Sequence, residues 1–169
     1  MSTQRQEKLL DPLGWKLLTE LQNDARISFA ELGRRVGLST PAVAQRVRRM
    51  EDEGIIRAYR AEISPQSVGL PITAFIRMSV VGDVLKRLTA RVHAMPEIRE
   101  CYRGTGEDSF ILKVSVMSVE HLRDVIDQLT PYGTTSTSLV LTSMIEKSLL
   151  GPENLEWPRP QARSSRQEK

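Results

Sequence analysis

The sequence is poor in the side chains on which most enzymes and secreted domains depend. Its 169 residues include one cysteine, Cys101, and two histidines, His93 and His121. A single cysteine excludes an internal disulfide, and neither histidine has a cysteine or an acid at metal-ligand spacing. Walker-type and dinucleotide-binding glycine motifs are also missing. The sequence therefore predicts no cofactor, no metal site and no enzymatic activity.

Long hydrophobic runs are missing as well. No stretch of about 18 apolar residues could form a membrane span, and no charged-then-apolar leader opens the chain. The net charge is only +3, which argues against a protein that coats nucleic acid indiscriminately. We therefore expect a cytoplasmic protein with no membrane partner.

What the sequence does contain is a pair of helix signals around Gly37. Ser28 is placed to cap the first helix, and Glu31, three residues later, completes the pattern of a capping box. Gly37 then ends this helix, because glycine readily adopts the left-handed conformation that terminates helices. The residues expected on its inner face are Phe29, Leu32 and Val36.

A second helix is predicted directly after this turn. Ser39 or Thr40 can cap it, and Pro41 suits its first turn, where a missing N–H is harmless. The helix runs to about Glu53, and Gly54 stops it. Its apolar stripe toward the core consists of Val43, Val47 and Met50.

The opposite face of the second helix combines small side chains with long polar ones. Small side chains permit close approach to base edges in a DNA groove, while glutamine and arginine can donate to bases or phosphates. Between Leu32 and Met50 there are five arginines and no acid. The pattern favours DNA binding, and the alternatives are an ordinary solvated helix face or a protein-binding helical bundle. This face consists of Pro41, Ala42, Gln45, Arg48, Arg49 and Asp52, with Arg46 on its flank.

A helix upstream completes a small common core. Asp11 and Pro12 supply its N-cap and first turn. Residues 55–63 then alternate weakly between apolar and polar, and Pro65 begins a break in the chain. The leucines expected on the inner face of the upstream helix are Leu13, Leu17, Leu18 and Leu21.

The second half of the chain alternates strand and helix patterns in the order βαββαβ. The predicted strands cover residues 72–81, 97–103, 109–116 and 137–145, and the predicted helices cover 83–95 and 119–129. This order is typical of a ferredoxin-like fold, in which both helices cover one face of an antiparallel sheet. Apolar residues alternate onto the uncovered face too, so we expect a second copy to bury that face in a homodimer.

Motifs in both halves resemble one family, the Lrp/AsnC regulators of bacteria and archaea. They are the helix-turn-helix GLSTPAVAQRVRRMEDEGII, the hinge, and the βαββαβ module with TGEDSFILKV and TSLVL. The resemblance covers about residues 9–149 and implies a sequence-specific transcriptional regulator that binds double-stranded DNA. It also implies dimers that assemble further into octamers or related rings, and an effector that is an amino acid or a related small metabolite. With the recognition helix at 40–53, the predicted DNA-binding residues are Ser39, Thr40, Ala42, Gln45, Arg46, Arg48 and Arg49, Arg46 being the first choice.

The resemblance also locates an effector site, between the loop before the third strand and the final strand. Leucine-responsive members commonly carry an aspartate three residues after a glycine, whereas that position after Gly106 is Ser109. Either a shifted loop supplies the acid, or the effector differs, or there is none. The last case describes an architectural DNA-binding protein whose second domain only oligomerises. The predicted effector residues are Gly104, Gly106, Glu107, Asp108, Ser109, Thr137 and Ser138.

We therefore predict an α+β protein of two domains. Prolines and glycines near residue 65, and prolines with alternating charges after residue 150, mark the breaks. The expected segments are a disordered N-terminus at 1–8, a winged-helix-like helix-turn-helix domain at 9–60, a hinge at 61–71, a ferredoxin-like effector-binding and oligomerisation domain at 72–149, and a disordered tail at 150–169.

Overall fold

The computed structural model describes residues 3–145 and 148–155, which form two compact units. One unit contains residues 3–61 together with 148–155, and the other contains residues 62–145. The first is helical and the second is built on a four-stranded sheet. The predicted α+β class is therefore confirmed. Within the described ranges, no helix is long and apolar enough to cross a membrane.

Four helices form the first unit within its described residues. Asp11 caps the second of them by accepting the Gly14 amide at 2.7 Å, and Ser28 caps the third by accepting the Glu31 amide at 3.2 Å. Gly37 ends the third helix in the left-handed region, at φ 78°. The helices are α1 (Thr3–Leu9), α2 (Pro12–Asn23), α3 (Phe29–Val36) and α4 (Thr40–Asp52).

The inner faces of these helices meet in two adjacent apolar clusters. The stripe predicted for α4 is buried as expected, with Val43, Val47 and Met50 almost inaccessible to solvent. Helix periodicity alone was sufficient to place it, because it repeats every turn. One cluster contains Leu17, Leu21, Leu32, Val36, Val43 and Val47, and the other contains Leu9, Leu18 and Met50.

Two predictions for the helices of this unit are wrong. Residues 1–8 were expected to be disordered, yet residues 3–8 belong to α1, which forms because Leu9 is buried against Leu18 and Met50. Residues 1 and 2 lie outside the described residues. Phe29 is 40% exposed because it begins α3 one turn before Leu32, the first residue of that helix in the core.

The capping box at the start of α3 is only half formed. Ser28 caps as predicted, but the Glu31 carboxylate turns to Arg34 and Arg35 instead of returning to the cap. Charged donors make stronger hydrogen bonds than a backbone amide, so the two guanidinium groups hold the carboxylate.

The second unit has the predicted βαββαβ order. All strand pairs are antiparallel and the sheet order is β2-β3-β1-β4. A short 3-10 turn at Gln66–Val68 precedes it, within the expected hinge. The elements are β1 (Ile72–Ser79), α5 (Leu85–Ala94), β2 (Ile98–Arg103), β3 (Phe110–Val116), α6 (Val119–Leu129) and β4 (Thr134–Leu139).

One face of this sheet packs against α5 and α6. Strand alternation sends every second side chain of β1 and β3 to the helices, where they meet Leu88, Leu122 and Leu129. The buried apolar strand residues on this face are Ala74, Ile76, Met78, Phe110, Leu112, Val114 and Val116.

The other sheet face differs in composition from the prediction. Cross-strand pairs place Phe75 beside Lys113 and Ser138, and Arg77 beside Ile111 and Ser136. The face is therefore mixed rather than apolar. The strand pattern overstated its hydrophobicity because Ile72 and Val80, at the two ends of the predicted first strand, pack toward the helices.

The last strand lies earlier than predicted. It spans Thr134–Leu139 instead of 137–145, because Gly133 lets the chain pass close to Ser79: a Cβ there would lie 2.2 Å from the Ser79 carbonyl oxygen. Thr134 can then pair with Ser79 at the end of β1. The ladder stops after Val140, whose amide donates to Thr73 at 2.9 Å near the other end of β1.

The chain returns to the first unit after the sheet. The Gln22 side chain donates to the Leu150 carbonyl at 3.0 Å and accepts the Leu150 amide at 2.9 Å. A 3-10 turn follows at Pro152–Leu155. Residues 150–155 are therefore structured, contrary to the prediction of a disordered tail, because Gln22 satisfies both backbone groups of Leu150. Residues 156–169 of that tail lie outside the described residues.

Candidate DNA-binding surface and effector site

Helix α4 presents the predicted DNA-binding face to solvent. Ser39, at the N-cap, and Thr40 are exposed, as are Gln45, Arg48 and Arg49, while Ala42 is half-buried. Burial of the apolar stripe fixes this orientation, because the exposed residues lie on the other side of the same helix. The Ser39 side chain makes no capping hydrogen bond, so its hydroxyl is not used by the helix.

The arginines of α3 and α4 differ in what they contact. Arg34 lies 2.7 Å from Glu31, and Arg35 lies 2.8 Å from both Glu31 and Glu20. These contacts lower the pKa of the Glu31 carboxyl to about 2. Arg48 and Arg49 have no ion pair within the described residues, so α4 keeps two uncompensated cations beside Gln45. Such cations are the groups that DNA phosphates attract.

Arg46 occupies a different position from the other arginines of α4. Its side chain is only 22% exposed, and its Nη2 donates to Oδ1 of Asp11, the N-cap of α2. The same oxygen accepts the Gly14 amide. The first-choice DNA contact from the sequence is therefore already engaged by another helix of its own unit.

The predicted effector loop is the hairpin between β2 and β3. The Gly104 amide donates to the Ser109 carbonyl at 2.9 Å, which closes the loop, and Gly106 has φ 104°, a conformation that favours glycine. Glu107 and Asp108 are exposed at the tip. The loop thus offers two carboxylates next to the backbone amide of Gly106.

Arg77 of β1 connects this loop with the last strand. Its Nε lies 3.7 Å from Oδ2 of Asp108, and its Nη2 donates to the Ser138 hydroxyl at 3.1 Å. Two parts of the predicted effector site therefore meet at one guanidinium. Sequence analysis missed Arg77, although a charge inside the apolar strand ITAFIRMSVV was a usable signal.

Thr137 does not lie on the open face of the sheet, where Arg77 contacts Ser138. Thr137 pairs with Ile76, whose side chain is buried toward the helices, whereas Ser138 pairs with Phe75 on the open face. Adjacent residues of a strand point to opposite sides of a sheet. The structure thus separates the two β4 residues that the sequence had grouped.

The two histidines and the cysteine do not form a cluster. His93 Nδ1 lies 2.8 Å from the Thr89 carbonyl oxygen, and His121 Nε2 lies 3.1 Å from Glu97. Cys101 is a free thiol on β2. No group of three histidine, cysteine, aspartate or glutamate side chains suited to a metal ion occurs in the part of the chain that the structure describes.

Two family models match the two units. The AsnC-type helix-turn-helix domain matches residues 10–51, and the Lrp/AsnC ligand binding domain matches residues 73–150. The first match contains the α3–α4 pair, and the second contains the sheet with the Arg77 region.

Curated relatives match along most of the chain. The transcriptional regulator LrpC of Bacillus subtilis is 33% identical over 139 residues, which is 82% of this chain and 96% of LrpC. The leucine-responsive regulatory protein of Escherichia coli is 33% identical over 130 residues, or 75% of this chain and 79% of that protein.

Solved structures agree with these relatives. The structure of B. subtilis LrpC superposes with a TM-score of 0.78 at 33% identity, covering 82% of this chain and 99% of LrpC. A transcriptional regulator of Neisseria meningitidis in complex with L-methionine gives a TM-score of 0.80 at 32% identity, covering 87% and 99%. Both domains, their order and their spacing match, and the chain belongs to the Lrp/AsnC family of transcriptional regulators.

Proposed function

We propose that this regulator reads DNA with the exposed face of α4 and that an amino acid bound near Arg77 changes its affinity for DNA. The observation that carries the first part is the pair of uncompensated arginines, Arg48 and Arg49, beside Gln45. Ser39, Thr40 and Ala42 lie at the start of the helix, where short side chains allow close approach to base edges.

The open face of the sheet supplies complementary groups for an amino acid. The guanidinium of Arg77 suits a carboxylate, and the carboxylates of Glu107 and Asp108 suit an ammonium group. The backbone amide of Gly106 adds a further donor, whereas that of Gly104 is already bonded to Ser109. The N. meningitidis relative was solved with L-methionine, and so was a feast or famine regulatory protein of Mycobacterium tuberculosis. L-methionine is therefore the first probe that we would use.

A second candidate function is an architectural DNA-binding protein that ignores amino acids. The observation in its favour is that Oδ2 of Asp108 already lies 3.7 Å from Nε of Arg77. The two charges that would bind a zwitterion therefore partly neutralise each other. In this case Gly104 and Gly106 only shape a hairpin turn.

Either function requires self-association. We propose a homodimer as the basic unit, with octamers as the higher assembly, because regulators with one recognition helix per chain commonly bind paired half-sites as dimers. The proposed place of action is the cytoplasm, where bacterial DNA lies.

The test is fluorescence anisotropy on DNA from upstream of the protein's own gene, at two salt concentrations, with each amino acid in turn. Arg49→Ala is expected to weaken specific binding by about 1–3 kcal/mol, the cost of losing a good base contact. Arg99→Ala, an exposed arginine of the other unit, is the matched control and is expected to leave affinity unchanged.

The outcomes separate the two candidates. An affinity that shifts with one amino acid identifies the effector and supports the ligand-responsive regulator. Specific binding that responds to none of the amino acids supports the architectural protein. Unchanged binding by Arg49→Ala would remove Arg49 from the DNA contacts.

A further inference from the structure

One oxygen of Asp11 joins two helices of the DNA-binding unit. It accepts the Gly14 amide at 2.7 Å, which caps α2, and it also accepts Nη2 of Arg46 from the middle of α4. Both bonds lower the pKa of the Asp11 carboxyl, so it is ionised when the protein binds DNA near neutral pH. The recognition helix α4 is therefore bonded, through Arg46, to the negative charge of Asp11 at the start of α2.

The start of α2 is a rigid anchor for this bond. A Cβ on Gly14 would lie 1.8 Å from the Leu9 carbonyl oxygen and 3.1 Å from the Met50 methyl carbon, so α1, α2 and α4 approach each other closely here. Met50 and Leu9 are themselves buried. Asp11 therefore cannot move together with Arg46 without disturbing the close packing of α1, α2 and α4 at Gly14.

The Arg46 guanidinium is poorly placed to read a base. Its Nε is buried and has no hydrogen-bond partner within the described residues, and its Nη2 is bound to Asp11. Reading guanine requires two free donors that point the same way. Arg46 would have to leave Asp11, and a partly buried carboxylate would lose its charged partner.

We propose that Arg46 is a positioning residue: it holds α4 on Asp11 so that its neighbours Gln45 and Arg49 reach the DNA, and it makes no base contact itself. This inference rests on the proposed DNA-reading role of α4. Loss of the Arg46–Asp11 bond should rotate or loosen the helix while leaving its exposed residues intact.

Asp11→Asn gives the decisive test, because the two interpretations of Arg46 predict opposite signs. Asparagine is as good an N-cap as aspartate, so α2 is preserved while the ion pair is lost. The variant also removes a negative charge and frees Arg46. If Arg46 contacted DNA, binding would become tighter. Because it positions α4, we expect specific binding about three- to tenfold weaker, a loss of the size of one typical intramolecular hydrogen bond.

Glu7→Gln is the matched control. Glu7 is an exposed acid on α1, outside the α4 face, with no ion pair in the described ranges, so its loss changes the charge by the same amount and leaves the Arg46–Asp11 bond in place. Equal or slightly tighter binding is expected. Thermal unfolding of Asp11→Asn checks that the protein is folded at the temperature of the binding assay.

A second pair of variants tests the inference independently of Asp11. Arg46→Lys keeps a cation that can pair with Asp11 and should bind DNA within about threefold of the wild type, whereas Arg46→Ala should lose about as much as Asp11→Asn. The double variant Asp11→Asn/Arg46→Ala should be no weaker than Arg46→Ala, because Arg46→Ala already removes the bond that Asp11→Asn weakens.

Three results would overturn the positioning role. They are tighter or unchanged binding by Asp11→Asn, a loss by Arg46→Lys as large as that by Arg46→Ala, and a salt dependence whose slope falls by about one in Arg46→Ala but not in Asp11→Asn. If α4 does not read DNA at all, Arg49→Ala is silent too, so failure of the proposed function is distinguishable from failure of this inference.

Discussion

Glu31 shows how a single carboxylate organises the surface of the helix-turn-helix. It accepts hydrogen bonds from Arg34 and Arg35 at 2.7–2.8 Å, and these lower its pKa to about 2. In the unfolded chain the same carboxyl titrates near its usual value of about 4.3. Its stabilising effect is therefore complete above that pH and is lost as the pH falls toward 2.

We expect Glu31→Gln to reduce the fall in thermal stability between pH 4.5 and 2, although the effect is small because the group is exposed. Calorimetry across this range and an NMR titration of the carboxyl carbon measure it. Glu107→Gln, an exposed acid of the other unit, should leave the pH dependence as it is in the wild type. A Glu31 titration near pH 4 would show that the two arginines do not hold it in solution.

Single residues were predictable from sequence where their partners are local. Asp11 and Ser28 cap the helices as expected, because a cap depends only on the next three residues. The bond of Arg46 to Asp11 was not predicted, because the two residues lie 35 positions apart in the sequence. Arg77 was missed for the same reason, since Asp108 and Ser138 reach it only after the sheet has formed.

At the scale of elements, the junction of α1 and α2 requires a glycine at position 14, because there is no room for a Cβ atom there. Gly14 lies in the first turn of α2, where a Cβ would overlap the Leu9 carbonyl oxygen. We expect Gly14→Ala to destabilise the protein by about 1–3 kcal/mol, because the clash outweighs the better helix propensity of alanine.

Urea denaturation followed by tryptophan fluorescence measures this effect, since Trp15 is the next residue. Gly104→Ala is the comparison: its Cβ would lie 3.4 Å from the Asp108 carbonyl oxygen, an ordinary contact, so stability should stay near the wild type. Equal stability of the Gly14 variant would mean that α1 moves aside at no cost.

Elements differ in how well the sequence predicted them. Helices α2, α3 and α4 were placed well because their caps, glycines and apolar stripes coincide. Strand β4 was placed too late because its ends are decided by pairing with β1 and by the close passage at Gly133. Strand limits that depend on a distant partner leave little trace in the local pattern.

At the scale of the whole molecule, apolar exposure supports self-association. Leu141 is 95% exposed and Met144 is 90% exposed, and Leu139 and Ile145 beside them are exposed too. Clustered exposed apolar residues mark interaction surfaces, whereas single ones do not. The mixed open face of the sheet and this segment together offer a surface for a second copy.

We expect Leu141→Lys/Met144→Lys to weaken the proposed homodimer by at least about tenfold, because a pair of apolar side chains buried at an interface contributes more than about 1.4 kcal/mol. Sedimentation velocity over a concentration series measures the change. Val81→Lys, at an exposed valine outside this segment, is the control. A dimer unaffected by the double change would place the interface elsewhere.

The return of residues 148–155 to the first unit makes that unit discontinuous in sequence. Its described part consists of 3–61 and 148–155, and the Gln22–Leu150 hydrogen bonds join the two pieces. Moving its DNA specificity onto another sensor domain would therefore need two junctions instead of one. A chimera joined only at the hinge would contain the helices but not Leu150. The Gln22 side-chain amide would then lose its two hydrogen bonds to the Leu150 backbone.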